Sequence, residues 1–233
     1  YEYQDTKSKG YDVKKKQNTT IFIPIIASDF TKIESESVVN LSTDLAKVTI
    51  DKKLSNTGFV GQILRYSYKD LSNNDEKKDL TDFVKEVSIV GVDVKLLEHT
   101  VENLEFKNNY ANTPFVINSK LESVESFTEK AGNLLMLNLG KVIGNQANLY
   151  QENTRKTEID LKYANEYHHT IVFNIPKGYQ VDHYNDLVID KEMKYDENKN
   201  WLFKSTVKIV GNQVIFTVDE KYKSINYPKD IYQ

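Results

Sequence analysis

The sequence predicts a mainly β protein: an antiparallel β-sandwich preceded by a small α/β unit with one or two helices. Three observations predict it. Trp201, Phe203, Ser205, Val207 and Ile209 share one face of an extended segment while Lys204, Thr206 and Lys208 share the other, the period of two that a half-buried strand requires. Gly211-Asn212 interrupts this segment, and Val214, Phe216 and Val218 resume the alternation, as in a hairpin with a two-residue connection. Short stretches of the same kind recur after residue 88, spaced by Asn, Gly, Pro and Asp. A single open sheet of such strands would leave one apolar face in water. Each large side chain buried between layers contributes about 1.5–3 kcal/mol, which offsets the entropy of ordering the chain only if a second layer covers the first.

The elements follow in order. Residues 1–18 are polar and Lys-rich, without apolar periodicity, and read as a linker or arm. Lys14-Lys15-Lys16 within it reads as solvated chain rather than a phosphate-binding patch. Thr19–Ile26 is continuous and β-branched, and Pro24 marks it as an edge strand or a bulge, because proline cannot donate to a ladder. Val38–Leu41 and Ala46–Ile50 follow as short strands. From Gly58 to Leu71 the apolar positions Val60, Ile63, Leu64, Tyr68 and Leu71 lie closer to a helical than a strand spacing, although Leu64, Tyr66 and Tyr68 also alternate. Asn73-Asn74-Asp75 supplies a cap for a second helix, with Leu80, Phe83, Val84 and Val87 at i, i+3, i+4 and i+7. Residues 19–88 thus form the small α/β unit and residues 89–233 the sandwich. The strands of the sandwich are expected at Ile89–Leu97, Glu98–Phe106, Phe115–Val124, Leu134–Leu139, Thr157–Lys162, Thr170–Ile175, Lys191–Tyr195, Leu202–Val210 and Gln213–Val218.

Composition excludes several functions. A net charge of −3 with both signs interspersed leaves no electrostatic footprint for nucleic acid. The absence of cysteine excludes a thiolate nucleophile, a zinc–thiolate site and any disulfide framework. Apolar runs such as Leu134–Leu137 are too short to span a bilayer. The chain opens and closes in polar text without a leader, and reads as a piece of a longer protein.

Candidate sites are sparse. His168-His169 lies near Glu166, but adjacent strand residues point to opposite faces and cannot share one ion without a bulge; no His-x-His or His-x-x-x-His accompanies them. His99 and His183 are isolated. Asp196, Asn198 and Asn200 alternate like the first half of an EF-hand loop, yet Trp201 and Val207 occupy the places of the required Gly and Glu. No metal site and no cofactor is expected. Glu34, Glu36, Asp44, Glu122 and Glu125 are acids on strand or turn segments, where spacing establishes no catalytic pair, and neither a Gly-x-Ser-x-Gly elbow nor a glycine-rich phosphate loop is present. Fifteen tyrosines and Trp201 are material for a stacking platform. Trp201 shares the apolar face with Phe203, so the candidate binding residues are Tyr179 and Tyr184, in loop-like surroundings.

The order of several motifs resembles the C-terminal β-rich domain of unknown function of Bacteroidetes exported transglutaminase-like proteins. The matching residues are the strand Ala46–Ile50, the turn Asn56-Thr57-Gly58, Gln62-Ile63-Leu64-Arg65-Tyr66, Asp82-Phe83-Val84 and the strand around Val92–Leu97. Arg155 before Glu158–Leu161 fits as well, as do Val172 to Val181 with its Pro-x-Gly-Tyr ending, Val210 to Val214 and the closing Tyr227 to Tyr232. The resemblance covers residues 38–233. A transglutaminase-like core needs a Cys-His-Asp triad, which a chain without cysteine lacks, so no catalytic residue carries over. The resemblance implies a partner, the upstream transglutaminase-like domain of the same protein, and a setting in the periplasm or at the cell surface. The resulting expectation is a noncatalytic accessory module that positions the upstream domain or binds a cell-surface partner. The alternative is a carbohydrate- or peptide-binding sandwich using Tyr-rich loops, and an acid-based hydrolase ranks last.

Overall fold

Alternation along one central strand sets the architecture: Val48, Ile50, Lys52, Leu54 and Asn56 are buried, while Asp51 and Lys53 between them are exposed. A computed structural model describes residues 6–23, 26–73, 77–89, 92–123, 127–144, 156–194, 200–227 and 229. Strands account for 49 % of the residues, which fixes the mainly β class. The strands are β1 (Thr6–Asp12), β2 (Gln17–Ile23), β3 (Lys32–Leu41), β4 (Val48–Asn56), β5 (Val94–Glu102), β6 (Phe115–Ser123), β7 (Thr128–Ala131), β8 (Leu134–Leu137), β9 (Ile159–Asp160), β10 (Asn165–Asn174), β11 (Ile189–Lys194), β12 (Asn200–Val210), β13 (Gln213–Tyr222) and β14 (Asn226–Tyr227). The helices among the described residues are α1 (Gly58–Asn73), α2 (Lys77–Ser88) and α3 (Gly140–Ile143).

Eight strands form one sheet in the order β11-β12-β13-β10-β3-β4-β6-β5. Every neighbouring pair is antiparallel except β10 and β3, which run parallel with Glu166 opposite Lys32 and Phe173 opposite Val39. The late strands β10 to β13 and the early strands β3 to β6 are therefore two antiparallel groups joined along one parallel seam.

The inner face is apolar and covered by two groups of elements. One cluster joins Leu54, Phe115 and Ile117 of the sheet to Val84 of α2, with Leu64 and Tyr68 of α1 packed against it. The other joins Val39, Ile50, Leu121, Ile171, Phe173 and Val214 to Phe127 and Val142, with Leu137 of β8 alongside. The cover of the inner face is thus α1, α2, the β7–β8 hairpin and the single turn of α3. The alternation reading of 58–71 gives way to the helical one: Leu64 and Tyr68 pack inward while Tyr66 is 63 % exposed. The chain enters α1 through Gly58 at φ +58, where a Cβ would lie 2.4 Å from Thr31 Oγ1 and 2.5 Å from the Phe30 carbonyl; only glycine fits both the dihedral and the space.

Four stretches differ from the sequence reading. β5 is one strand where two were expected at Ile89–Leu97 and Glu98–Phe106, because the break in alternation is a bulge between Leu96 and Glu98. β3 begins at Lys32 and β10 at Asn165, both well ahead of their apolar runs, because the inward positions there are Ser35, Ser37 and His169. The opening arm holds a hairpin, β1 with β2 in antiparallel register, where residues 1–18 were expected to be a linker or arm.

Candidate functional site

Between the two apolar clusters the inner face carries a polar band. Ser37 of β3 and Ser119 of β6 stand opposite Lys52 of β4 on either side, and His169 of β10 stands opposite Ser35 of β3. Lys52 is 4 % exposed, and its Nζ donates to the Val142 carbonyl of α3 at 2.8 Å. Removal from water penalises the ammonium and brings the Lys52 pKa down to about 7. Ser35 Oγ and His169 Nδ1 lie 2.7 Å apart. Burial first, and the neighbouring charge of Lys52 second, lower the His169 pKa to about 4. Ser88, which ends α2, shares a 3.1 Å hydrogen bond with Ser119, while Ser37, 2 % exposed, has no partner for its Oγ. The inward positions of β3, β4, β6 and β10 include no Asp or Glu.

The outer face is polar and open. A depression of about 520 Å³ lies between β3 and β5, bordered by Glu36, Asp51, Lys53, Glu98, Asn118 and Lys120. Lys52 and Ser119 also border it, from strand positions whose side chains alternate to the inner face. Further along, His168 Nδ1 meets Asp219 Oδ1 at 2.5 Å and Lys221 pairs with Glu166 at 3.2 Å. His168 and His169 thus point to opposite faces, and Glu166 is engaged by Lys221 and by the Ser28 hydroxyl. The described residues contain no group of three His, Asp or Glu able to hold a metal ion.

The other candidates are dispersed. Asp44 accepts from Ser42 and from the Ala46 N–H in a tight turn, and the Ser42 hydrogen bond lowers its pKa. Glu122 pairs with Lys47. Glu125, Arg155, Asp196 and Asn198 lie outside the described residues. Tyr179 and Tyr184 both lie in the connection between β10 and β11, the former 39 % exposed and the latter directly ahead of a 3-10 turn at Asn185–Leu187. Neither ring joins an aromatic contact among the described residues. A run of rings forms instead on the inner face: Trp201 lies 6.5 Å from Tyr222, Tyr222 6.2 Å from Tyr167, and Tyr167 6.1 Å from His169. Glu220, beside this run, accepts from the Tyr222 hydroxyl at 3.0 Å, and burial raises its pKa. On the adjacent edge strand Ile189 and Met193 are 38 % and 37 % exposed, while the Trp201 Nε1 is buried without a partner. The signal for this run was the shared parity of Trp201, Phe203, Glu220 and Tyr222 across the hairpin, which becomes readable only once the register of β12 on β13 is known.

The molecule belongs to the class of mainly β proteins built on one large, antiparallel-dominated sheet, without a closed barrel. Residues 133–233 match a family described as a domain of unknown function with a solved structure, DUF3858. No curated protein and no solved structure matches the chain. The matched region contains β8 to β14, so its part in the large sheet ends at the parallel seam, and β3 to β6 lie beyond it. Lys52 and its acceptor Val142 therefore bind the unmatched part of the chain to the matched part. No helix among the described residues is long and apolar enough to cross a membrane.

Proposed function

We propose that the chain is a noncatalytic accessory module that docks a transglutaminase-like domain of the same protein, or a partner at the cell surface, on the outer face between β3 and β5. One observation carries the reading: the strongly shifted titrating groups and the open surface are on opposite sides of the sheet. Lys52 and His169 are 4 % and 6 % exposed beneath the cover, whereas the depression outside is broad and lined by side chains of both signs. A reaction centre needs tuned acids or bases to converge on a space that substrate can enter; a docking face needs complementary charges on an accessible surface. The resemblance of residues 38–233 supports this choice of partner and of an extracytoplasmic setting.

Calorimetric titration of the chain with a separately produced transglutaminase-like domain of the same protein tests this. Lys53→Glu together with Lys120→Glu is expected to weaken binding about tenfold or more, as lost complementarity of rim charges does. Absence of binding, or binding indifferent to the double reversal, refutes the assignment.

A second reading, saccharide binding, rests on the Trp201–Tyr222–Tyr167 run beside Glu220, since a row of aromatic rings, here tilted and edge-on to one another, next to a polar group suits a sugar ring. An oligosaccharide panel followed by the fluorescence of Trp201, the single tryptophan of the chain, reports on it directly; Tyr222→Ala should weaken the response, and a panel without any saturable response refutes the reading.

A further inference from the structure

We propose that the polar band beneath the sheet is a binding site for one small monovalent anion, chloride, held between Lys52 and Ser37. The band is a set of donors without an acid. Lys52 has three ammonium N–H groups, of which the Val142 carbonyl takes one. Ser37 is buried with no partner for its hydroxyl, and it stands directly opposite Lys52 on the adjacent strand, where side chains of facing residues are neighbours. Ser119 flanks Lys52 on the other side, and in its pair with Ser88 one hydroxyl donates and the other keeps its proton for a third acceptor.

Among the described residues, the titratable and charged groups on the elements around Lys52 supply no counter-ion. β10 presents His169, and β5 presents His99, hydrogen-bonded to the Tyr68 hydroxyl of α1. The Arg65 guanidinium of α1 is spent on the carbonyls of Asn103 and Thr113 and on Asn109. Asp82 of α2 faces Lys85 at the surface, Glu129 of β7 is exposed, and Lys141 of α3 lies over the Phe127 ring. The inward acid of the neighbouring strands, Glu220 of β13, stands opposite Tyr167, beyond His169. A buried cation without a counter-charge is costly. An anion beside it supplies that charge and takes the unspent donors at once, whereas a water molecule would satisfy Ser37 and leave the charge uncompensated. The ease with which Lys52 gives up its proton in the anion-free protein agrees with this, and it makes anion binding strongest below neutral pH.

Thermal unfolding of the whole chain at pH 6 in sodium chloride, against sodium gluconate at equal sodium concentration, tests the site. Chloride is expected to raise the midpoint in a saturable way that gluconate does not reproduce. Lys52→Met should remove the difference, and the effect should shrink as pH rises well above 7. Ser37→Ala deletes an unpartnered hydroxyl and leaves the fold intact; it should shift the chloride response to about tenfold higher concentration, as loss of one charge-assisted hydrogen bond does. Crystals grown in bromide should show an anomalous peak within hydrogen-bond distance of Lys52 Nζ. Equal responses to the two salts, a chloride response retained in Lys52→Met, or bromide absent from the band overturns the proposal.

Discussion

Replacing Lys52 by methionine exchanges a buried amine for an apolar side chain of similar length, and its consequence can be worked out from the structure. A lysine that titrates at about 7 in the fold and at about 10.4 in the unfolded chain binds less proton when folded anywhere between those values. The folded state is therefore penalised below pH 7 by a constant amount, and stability climbs as pH rises through the window above it, with a slope approaching about 1.4 kcal/mol per pH unit. From pH 7.5 to 9.5 the gain is about 2–3 kcal/mol, equivalent to about 5–10 °C in the midpoint for a chain of this size. The window is clean: the chain has no cysteine, His169 titrates far below it, and burial moves Tyr68, Tyr163 and Tyr167 upward, away from it. In Lys52→Met the rise should vanish. At pH 7.5 the variant should be more stable by about 3 kcal/mol, the relieved ionisation penalty less one hydrogen bond to the Val142 carbonyl. Urea unfolding at several pH values in chloride-free buffer measures both quantities. A wild-type curve flat between pH 7.5 and 9.5, or the same slope in the variant, refutes the reasoning.

Other perturbations have equally definite outcomes. His169 titrates at about 4 in the fold against about 6.5 unfolded, so it contributes an acid limb: stability falls as pH drops from 6.5 to 4, by up to about 3 kcal/mol, and His169→Phe should flatten that limb in urea titrations. Gly58→Ala forces a Cβ into Thr31 Oγ1 and the Phe30 carbonyl at a positive φ, and should lower stability by at least about 2 kcal/mol, measured by denaturant midpoint. Arg65→Met leaves the Asn103 and Thr113 carbonyls without their donor. It should cost about 3 kcal/mol or more, and hydrogen exchange should accelerate first in residues 103–113.

The strands that the sequence made legible are those whose inward positions are apolar. Val48 and Ile50 of β4, Phe115 to Leu121 of β6 and the β12–β13 hairpin each show a period of two that survives in the fold. The amphipathic spacing of Leu80, Phe83, Val84 and Val87 likewise marked α2, because Val84 had to be buried. The polar band was invisible for the opposite reason. Ser35, Ser37, Lys52, Ser119 and His169 read as ordinary polar residues until register places them in two neighbouring rows, His169–Ser35 and Ser37–Lys52–Ser119. Lys52 was the hardest: it sits in Asp51-Lys52-Lys53, where three charged residues in succession hide which one points inward. The parallel pairing of β10 with β3 joins residues more than 130 positions apart, and no local pattern encodes such a contact.

That pairing has a practical consequence. A polypeptide trimmed to residues 133–233 would strip β3 from β10 and leave a raw border of unpaired amides and carbonyls. Ile171 and Phe173, sealed in the intact chain, would sit on that border, and such a border recruits further copies of itself. Residues 133–233 on their own are therefore expected to self-associate in water, and the earlier strands serve as their missing hem.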